Sequence, residues 1–250
     1  MADGRRKRLR AAALLTALLW LWVFPAPAEH AVESLEGEDF FPQEENWTYH
    51  YIYSWPMLVC DGDDAAAMMV NDTFQMVLDE MRTLALPMFA ASPEMTGDGP
   101  VEVRQFYRVT CNTDRLFSVL LIKTEEQGES RRISVESETF DVGGEYPGET
   151  LTLRGVVRVG ESSDQLSAAV LPVLYGRFRE LQQSGVCLPD VSEEAFYELT
   201  APTMDFYADE NENAVFYFQP SLMVHPDWDV PAFTFTPEEL AALAENVPAE

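Results

Sequence analysis

The spacing of apolar residues changes period several times after Trp47, and each change marks an element. Thr48 to Trp55 (TYHYIYSW) is aromatic and β-prone, which predicts a first strand running to Val59. Asp61-Gly-Asp-Asp64 breaks it and offers a helix N-cap. In the next run, AAAMMVNDTFQMVLDEMRTLAL, Ala66, Met69, Val70, Phe74, Val77, Leu78, Met81 and Leu84 recur at helical spacing. They predict the buried face of an amphipathic helix, with methionines as core rather than as cofactor contacts. After the turn-rich Pro93–Pro100, Val101–Cys111 and Leu116–Thr124 predict antiparallel strands around Asn112-Thr-Asp114, and Arg131–Phe140 a third. Asp141-Val-Gly-Gly-Glu-Tyr146-Pro-Gly is a loop, and Leu151–Val159 closes this half.

Ser162 or Ser163 caps a helix over Asp164–Gln183, which ends at Gly185. Ser192 opens a short helix through Leu199, and Thr236 caps a last one over Pro237–Ala244, with proline at its first position. Thr203–Tyr207, Ala214–Gln219 and Phe233–Phe235 predict strands, the first two around the acidic turn Asp209-Glu-Asn-Glu-Asn213. Strands joined mostly by hairpins, with two or three helices, predict an α+β fold: a mostly antiparallel sheet with helices packed on it. Residues 47–160 and 161–250 read as two regions, able to form two small cores or one compact unit.

Before Trp47 the pattern differs. Arg5, Arg6, Lys7, Arg8 and Arg10 precede an uncharged run, Ala11–Phe24, and then Pro25-Ala-Pro-Ala28. These are the three parts of a secretory signal peptide, so residues 1–28 are expected to be cleaved and the mature chain secreted or held at the cell surface. The apolar run is shorter than the ~20 residues that span a bilayer, so a membrane is a partner only if the segment is retained. Residues 29–46 are acidic and without period, and read as a linker.

Charge narrows the partners. The chain holds 16 Lys and Arg against 43 Asp and Glu, a net −27. Losing residues 1–28 removes five of the 16 and one of the 43, leaving 11 and 42, a net −31. That excludes nucleic acid, whose affinity rests on basic residues neutralising phosphates, and favours cations or a basic protein. Cys60, Cys111 and Cys187 are odd in number; Cys60 and Cys111, each near a predicted strand end, are the candidate disulfide. Nothing among them or His30, His50 and His225 has metal-site spacing, so no metal or cofactor is expected. G-x-S-x-G and H-E-x-x-H are absent, and the acidic turn lacks the EF-hand pattern. Asn46-Trp-Thr48 and Asn71-Asp-Thr73 match the glycosylation sequon, a cheap match.

The last third carries an ordered set: Phe206-Tyr207, Ala214–Phe218 with Gln-Pro220, Val224-His-Pro226, Pro231-Ala-Phe233-Thr-Phe235 and Glu239-Leu240. This order resembles the C-terminal domain of RsiV-type proteins, a domain of unknown function also found in the N-terminal region of PdaC-like deacetylases. The family's usual glycine in the connection is missing from Met223–Asp229. Upstream, Tyr53-Ser-Trp55-Pro56, Tyr107-Arg-Val109, Leu116-Phe-Ser118 and Thr139-Phe-Asp141 resemble the companion domain that precedes it. The resemblance implies a binding module, since in RsiV anti-sigma factors this region faces outward and binds lysozyme, a basic protein. Only ten residues precede the apolar run, so no sigma factor is expected as a partner. The deacetylase domain is likewise not expected here.

The expectation is therefore a secreted, non-catalytic binding domain for a lysozyme-like basic protein or a cell-wall component. Candidate binding residues are Tyr146, Tyr217, His225, Asp227, Trp228 and Asp229, aromatic and acidic groups in or near loops. The alternative is an envelope-acting hydrolase, whose signature is a pair of carboxyl groups of unequal pKa in one cleft.

Overall fold

The computed structural model describes residues 30–60, 62, 64–92, 99–224 and 230–246. The signal segment, and four of the candidate residues (His225, Asp227, Trp228 and Asp229), lie outside the described residues. Strands β1 (Val32–Phe41), β2 (Tyr49–Leu58), β3 (Val101–Asn112), β4 (Leu116–Gln127) and β5 (Ser130–Asp141) form one sheet in that order. Its neighbours are antiparallel except β2 and β3, which run parallel. A parallel pair needs a crossover, and helix α1 (Ala65–Glu80) supplies it, continuing through a π turn (Met81–Ala85) into α2 (Leu86–Ala90).

The alternating aromatics of β2 explain where α1 sits. Tyr49, Tyr51, Tyr53 and Trp55 share one face and bury against Ala66, Ala67, Val70, Phe74 and Leu78. The two alanines let the helix approach the sheet closely. Asp64 caps it, its Oδ1 accepting from the Ala67 N–H at 3.0 Å. The helix is rotated from the sequence expectation: Met69, Val77 and Leu84 face outward, and Met76 is 64% exposed. Apolar residues ring more of this helix than one sheet face can cover, so the pattern alone did not select the buried stripe.

The described part of the expected linker, residues 30–46, is not one. Val32–Phe41 is a ten-residue edge strand, paired along its length with β2. Leu35 and Phe41 pack against the helix-side core, while Glu36 and Glu38 sit on the opposite face. Gly37 leaves room for the Tyr53 ring that covers the strand: a Cβ there would push the end of that side chain aside.

The second half contains α3 (Leu153–Val157), α4 (Ser163–Gln183), α5 (Glu193–Leu199) and α6 (Pro237–Ala244). Its strands β6 (Phe206–Ala208), β7 (Ala214–Tyr217) and β8 (Ala232–Phe235) form a three-stranded antiparallel sheet. The segment Leu151–Val159, which the sequence left as the close of the first half, holds the helical turn α3. Its Leu153, Val156 and Val157 bury in the second core together with Cys111 and Leu116. Residue 160 is thus no boundary in packing. A third cluster joins Leu120, Ile122 and Val135 of the first sheet to Tyr217, and Arg115 meets Glu212 at 2.6 Å. Cys60, Cys111 and Cys187 are all free thiols, Cys60 exposed and the others buried. The Cys60–Cys111 bridge does not form, because Cys111 points into the second core. Burial first, then the Glu212 charge, push its thiol up to about 12.

Each predicted cap on α4, α5 and α6 is made by a side chain. Thr236 completes a capping box, its hydroxyl accepting from Glu239 N–H (3.2 Å) while the Glu239 carboxylate accepts from Thr236 N–H (2.9 Å). Thr236→Ala should lower stability by about 1 kcal/mol, read as a shift in the urea midpoint at unchanged slope.

Candidate functional site

β5 is the far edge of the large sheet, and strand periodicity turns the backbone groups of its odd-numbered residues away from β4. Side chains and neighbouring backbone cap most of them. Ile133 N–H donates to Ser221 Oγ at 2.9 Å. Val135 N–H donates to Gln219 Oε1 at 3.3 Å, and Gln219 Nε2 donates back to Val135 O at 2.8 Å. Further along, Leu151 N–H donates to Thr139 O at 2.7 Å and Asp141 N–H to Glu149 O at 3.0 Å.

Between these capped ends lies a cleft of about 440 Å³. Val135–Thr139 form one wall, Thr150–Thr152 and Thr203–Phe206 the others, with Tyr217 and Gln219 completing it. Glu136, Glu138 and Asp205 line it, and among the described residues no lysine, arginine or histidine does. Met204 stands on the rim, 72% exposed.

The three carboxyl groups differ. Asp205 is buried with both oxygens engaged: Oδ1 accepts from Gln219 Nε2 at 2.8 Å and Oδ2 from Ala201 N–H at 3.0 Å. Burial still holds its pKa above the ordinary range, partly offset by those donors. Glu138 is half-buried, and burial, then the neighbouring Glu136 charge, raise its pKa. Glu136 is exposed. For Glu138 and Asp205 the folded pKa lies above the unfolded one, so their stabilising contribution is present at low pH and is lost as pH rises through the folded pKa. A cation in the cleft would reverse that loss.

Of the candidate residues, the two that are described, Tyr146 and Tyr217, are not brought together. Tyr217 is buried at the back of the cleft, its hydroxyl 3.1 Å from Ser137 Oγ, and burial raises its phenol pKa further. It is a wall rather than an exposed contact. Tyr146 is exposed on the loop after β5 and does not line the cleft. That loop is pinned by Asp141, whose Oδ1 accepts from Gly144 N–H (2.5 Å) and Oδ2 from Tyr146 N–H (3.1 Å). Gly143 lies so close to Asp114 that a Cβ would sit 1.9 Å from its carbonyl oxygen. Sequence reasoning missed Glu136, Glu138, Asp205 and Gln219. The available signal was Glu136 and Glu138 two apart in a strand, on the side that carries buried Phe140.

A second polar group, His50 between Glu38 (3.1 Å) and Glu102 (3.3 Å), is satisfied internally and stacked on Phe40 at 4.1 Å.

No protein-family model matches the chain, and no curated protein matches it. Solved structures do. A DUF3298-family protein from Bacteroides fragilis superposes with a TM-score of 0.55 at 12% identity, over 84% of this chain and 92% of that one. A DUF3298-family protein from Pseudomonas aeruginosa PAO1 gives a TM-score of 0.47 at 11% identity, over 86% and 94%. The chain therefore has the α+β fold seen in the Bacteroides DUF3298 protein, a fold whose domain is uncharacterised.

Proposed function

We propose that this chain is an exported, non-catalytic binding module whose β5-edge cleft holds a cationic group presented by a basic protein. The observation that carries this reading is the cleft itself: three carboxyl groups and, among the described residues, no basic lining residue, on a chain of net charge −27. Folding has already desolvated Glu138, so an incoming ammonium or guanidinium gains more there than at an exposed glutamate. The long-range field of the acidic chain adds steering. The resemblance to RsiV-type receptors makes lysozyme the first protein to try.

The test is a titration with lysozyme at low and high salt. Micromolar or tighter binding is expected, weakening with salt. The double substitution Glu136→Gln with Glu138→Gln should weaken it about tenfold, while Glu138→Gln alone keeps or raises stability at neutral pH by removing a half-buried charge. No binding at any salt overturns the lysozyme form. Binding that ignores the double substitution overturns the cleft.

A second reading, a carboxylate hydrolase, draws on Glu138 and Asp205, both held above the ordinary pKa in one cleft. Asp205 has both oxygens occupied, which disfavours it as a base. Turnover of peptidoglycan fragments that Glu138→Gln abolishes would favour this reading.

A further inference from the structure

The two sheets present four edges, and three are protected. β1 carries Glu33, Glu36, Glu38 and Asp39. β5 is capped on either side of the cleft by Gln219 and Leu151. β6 is only three residues long and is held by two serines: Ala208 N–H donates to Ser118 Oγ at 3.1 Å, and Ser137 Oγ donates to Phe206 O. Among the described residues β8 has no such device: Ala232-Phe-Thr-Phe235 contains neither charge nor proline. Natural sheets protect open edges against pairing with other chains unless pairing is their use.

The ladder fixes which groups are open. Phe218 N–H donates to Pro231 O at 3.2 Å, and the register pairs Phe216 with Phe233 and Ala214 with Phe235. Alternation then points the N–H and C=O of Ala232 and Thr234 away from β7, and among the described residues neither makes a hydrogen bond on that side. Beside this edge runs a groove of about 780 Å³ between β8, α4 and α6, walled by Val173, Leu181, Ala242 and Leu243 beside Phe233 and Phe235.

We propose that β8 and this groove form a second docking site, which takes an extended segment of a partner protein by strand addition. The segment has apolar residues at alternate positions and basic residues at its flanks. Its backbone pairs with Ala232 and Thr234. One set of its side chains enters the groove beside Phe233 and Phe235, and the other faces water with Ala232 and Thr234. Charge selects this occupant. Arg177, the basic residue at the rim, is neutralised by Glu180 at 3.2 Å, while Glu239 adds a negative charge at the helix start. With a net −27 on the whole chain, the edge favours a basic-flanked segment and repels a second copy of itself.

The probe is a synthetic peptide of alternating Val and Thr with a Lys at each end, titrated into the isotope-labelled full chain and followed by amide chemical shifts. Saturable shifts centred on residues 232–235 and on the groove walls are expected. Thr234→Pro removes one outward N–H without touching the ladder to β7, and proline is tolerated at such an edge position. It should weaken the peptide about five- to tenfold, whereas Thr234→Val, which keeps the N–H, should not. Should Thr234→Pro unfold the chain, Ala242→Arg on the exposed groove wall, which fills the groove and repels the Lys-flanked peptide, replaces it with the same expected loss. Absence of peptide binding, shifts centred elsewhere, or equal binding by the blocked variants overturns the proposal. So does a β8-paired dimer of the chain that dissociates with Thr234→Pro.

Discussion

Replacing Phe178 by alanine should cost about 3–5 kcal/mol, enough to remove a large share of the stability of an ordinary domain. Phe178 is fully buried on α4, with its ring 5.0 Å from Phe196 of α5 and 5.7 Å from Phe218 just past β7. Phe196 and Phe218 are themselves 5.8 Å apart, so the three rings form a closed triangle between two helices and a sheet. None of the three elements can move into the vacated space without pulling away from its other contacts, so the void stays open and its cost adds to the lost transfer energy. Phe178→Leu keeps most of the volume and should cost less than half as much. Urea unfolding reads both, as a lowered midpoint at constant slope. A loss under 1 kcal/mol for Phe178→Ala would contradict this packing.

Gln219→Ala is the second large effect, about 2–4 kcal/mol. The Gln219 carboxamide satisfies three groups at once: Val135 N–H, Val135 O and Asp205 Oδ1. Truncation leaves all three in a semi-buried wall where water replaces the carboxamide poorly. The loss should grow from acid to neutral pH. Asp205 already has a raised pKa, and losing the Gln219 donor raises it further, so the penalty falls on the ionised form. Denaturation midpoints of the wild type and Gln219→Ala at pH values below and above the ordinary carboxylate range measure this. Equal losses at both would show that Asp205 does not depend on Gln219.

The elements that announce themselves by local chemistry were legible. The capped helices over 163–183, 193–199 and 237–244, and the strands of the 101–141 meander, depend on neighbours in sequence. β1 was not legible because its outward positions are acidic and its one glycine is useful only beneath Tyr53, a contact made across the sheet. The face of α1 was ambiguous because methionine occurs on both sides of the buried stripe. The cleft was hidden for a related reason. Its walls come from residues 135–139, 150–152, 203–206 and 217–219, and only the folded chain makes neighbours of them.

Carboxamide clamps were equally invisible. Gln219 on Val135 has a counterpart in Asn71, whose Oδ1 accepts from Leu58 N–H at 2.7 Å while its Nδ2 donates to Leu58 O at 2.8 Å. In sequence Asn71 reads as a glycosylation sequon; in the fold its amide closes the end of β2. Both side chains stand in for a missing strand, a role that requires a specific distant partner and leaves no local pattern.

The cleft reading meets its most direct test in amide hydrogen exchange of the chain with and without lysozyme. Slowed exchange is expected across residues 135–139 and 203–206, reduced by the Glu136→Gln, Glu138→Gln double substitution. Protection confined to other surfaces, with the cleft amides unchanged in a saturated complex, would contradict it.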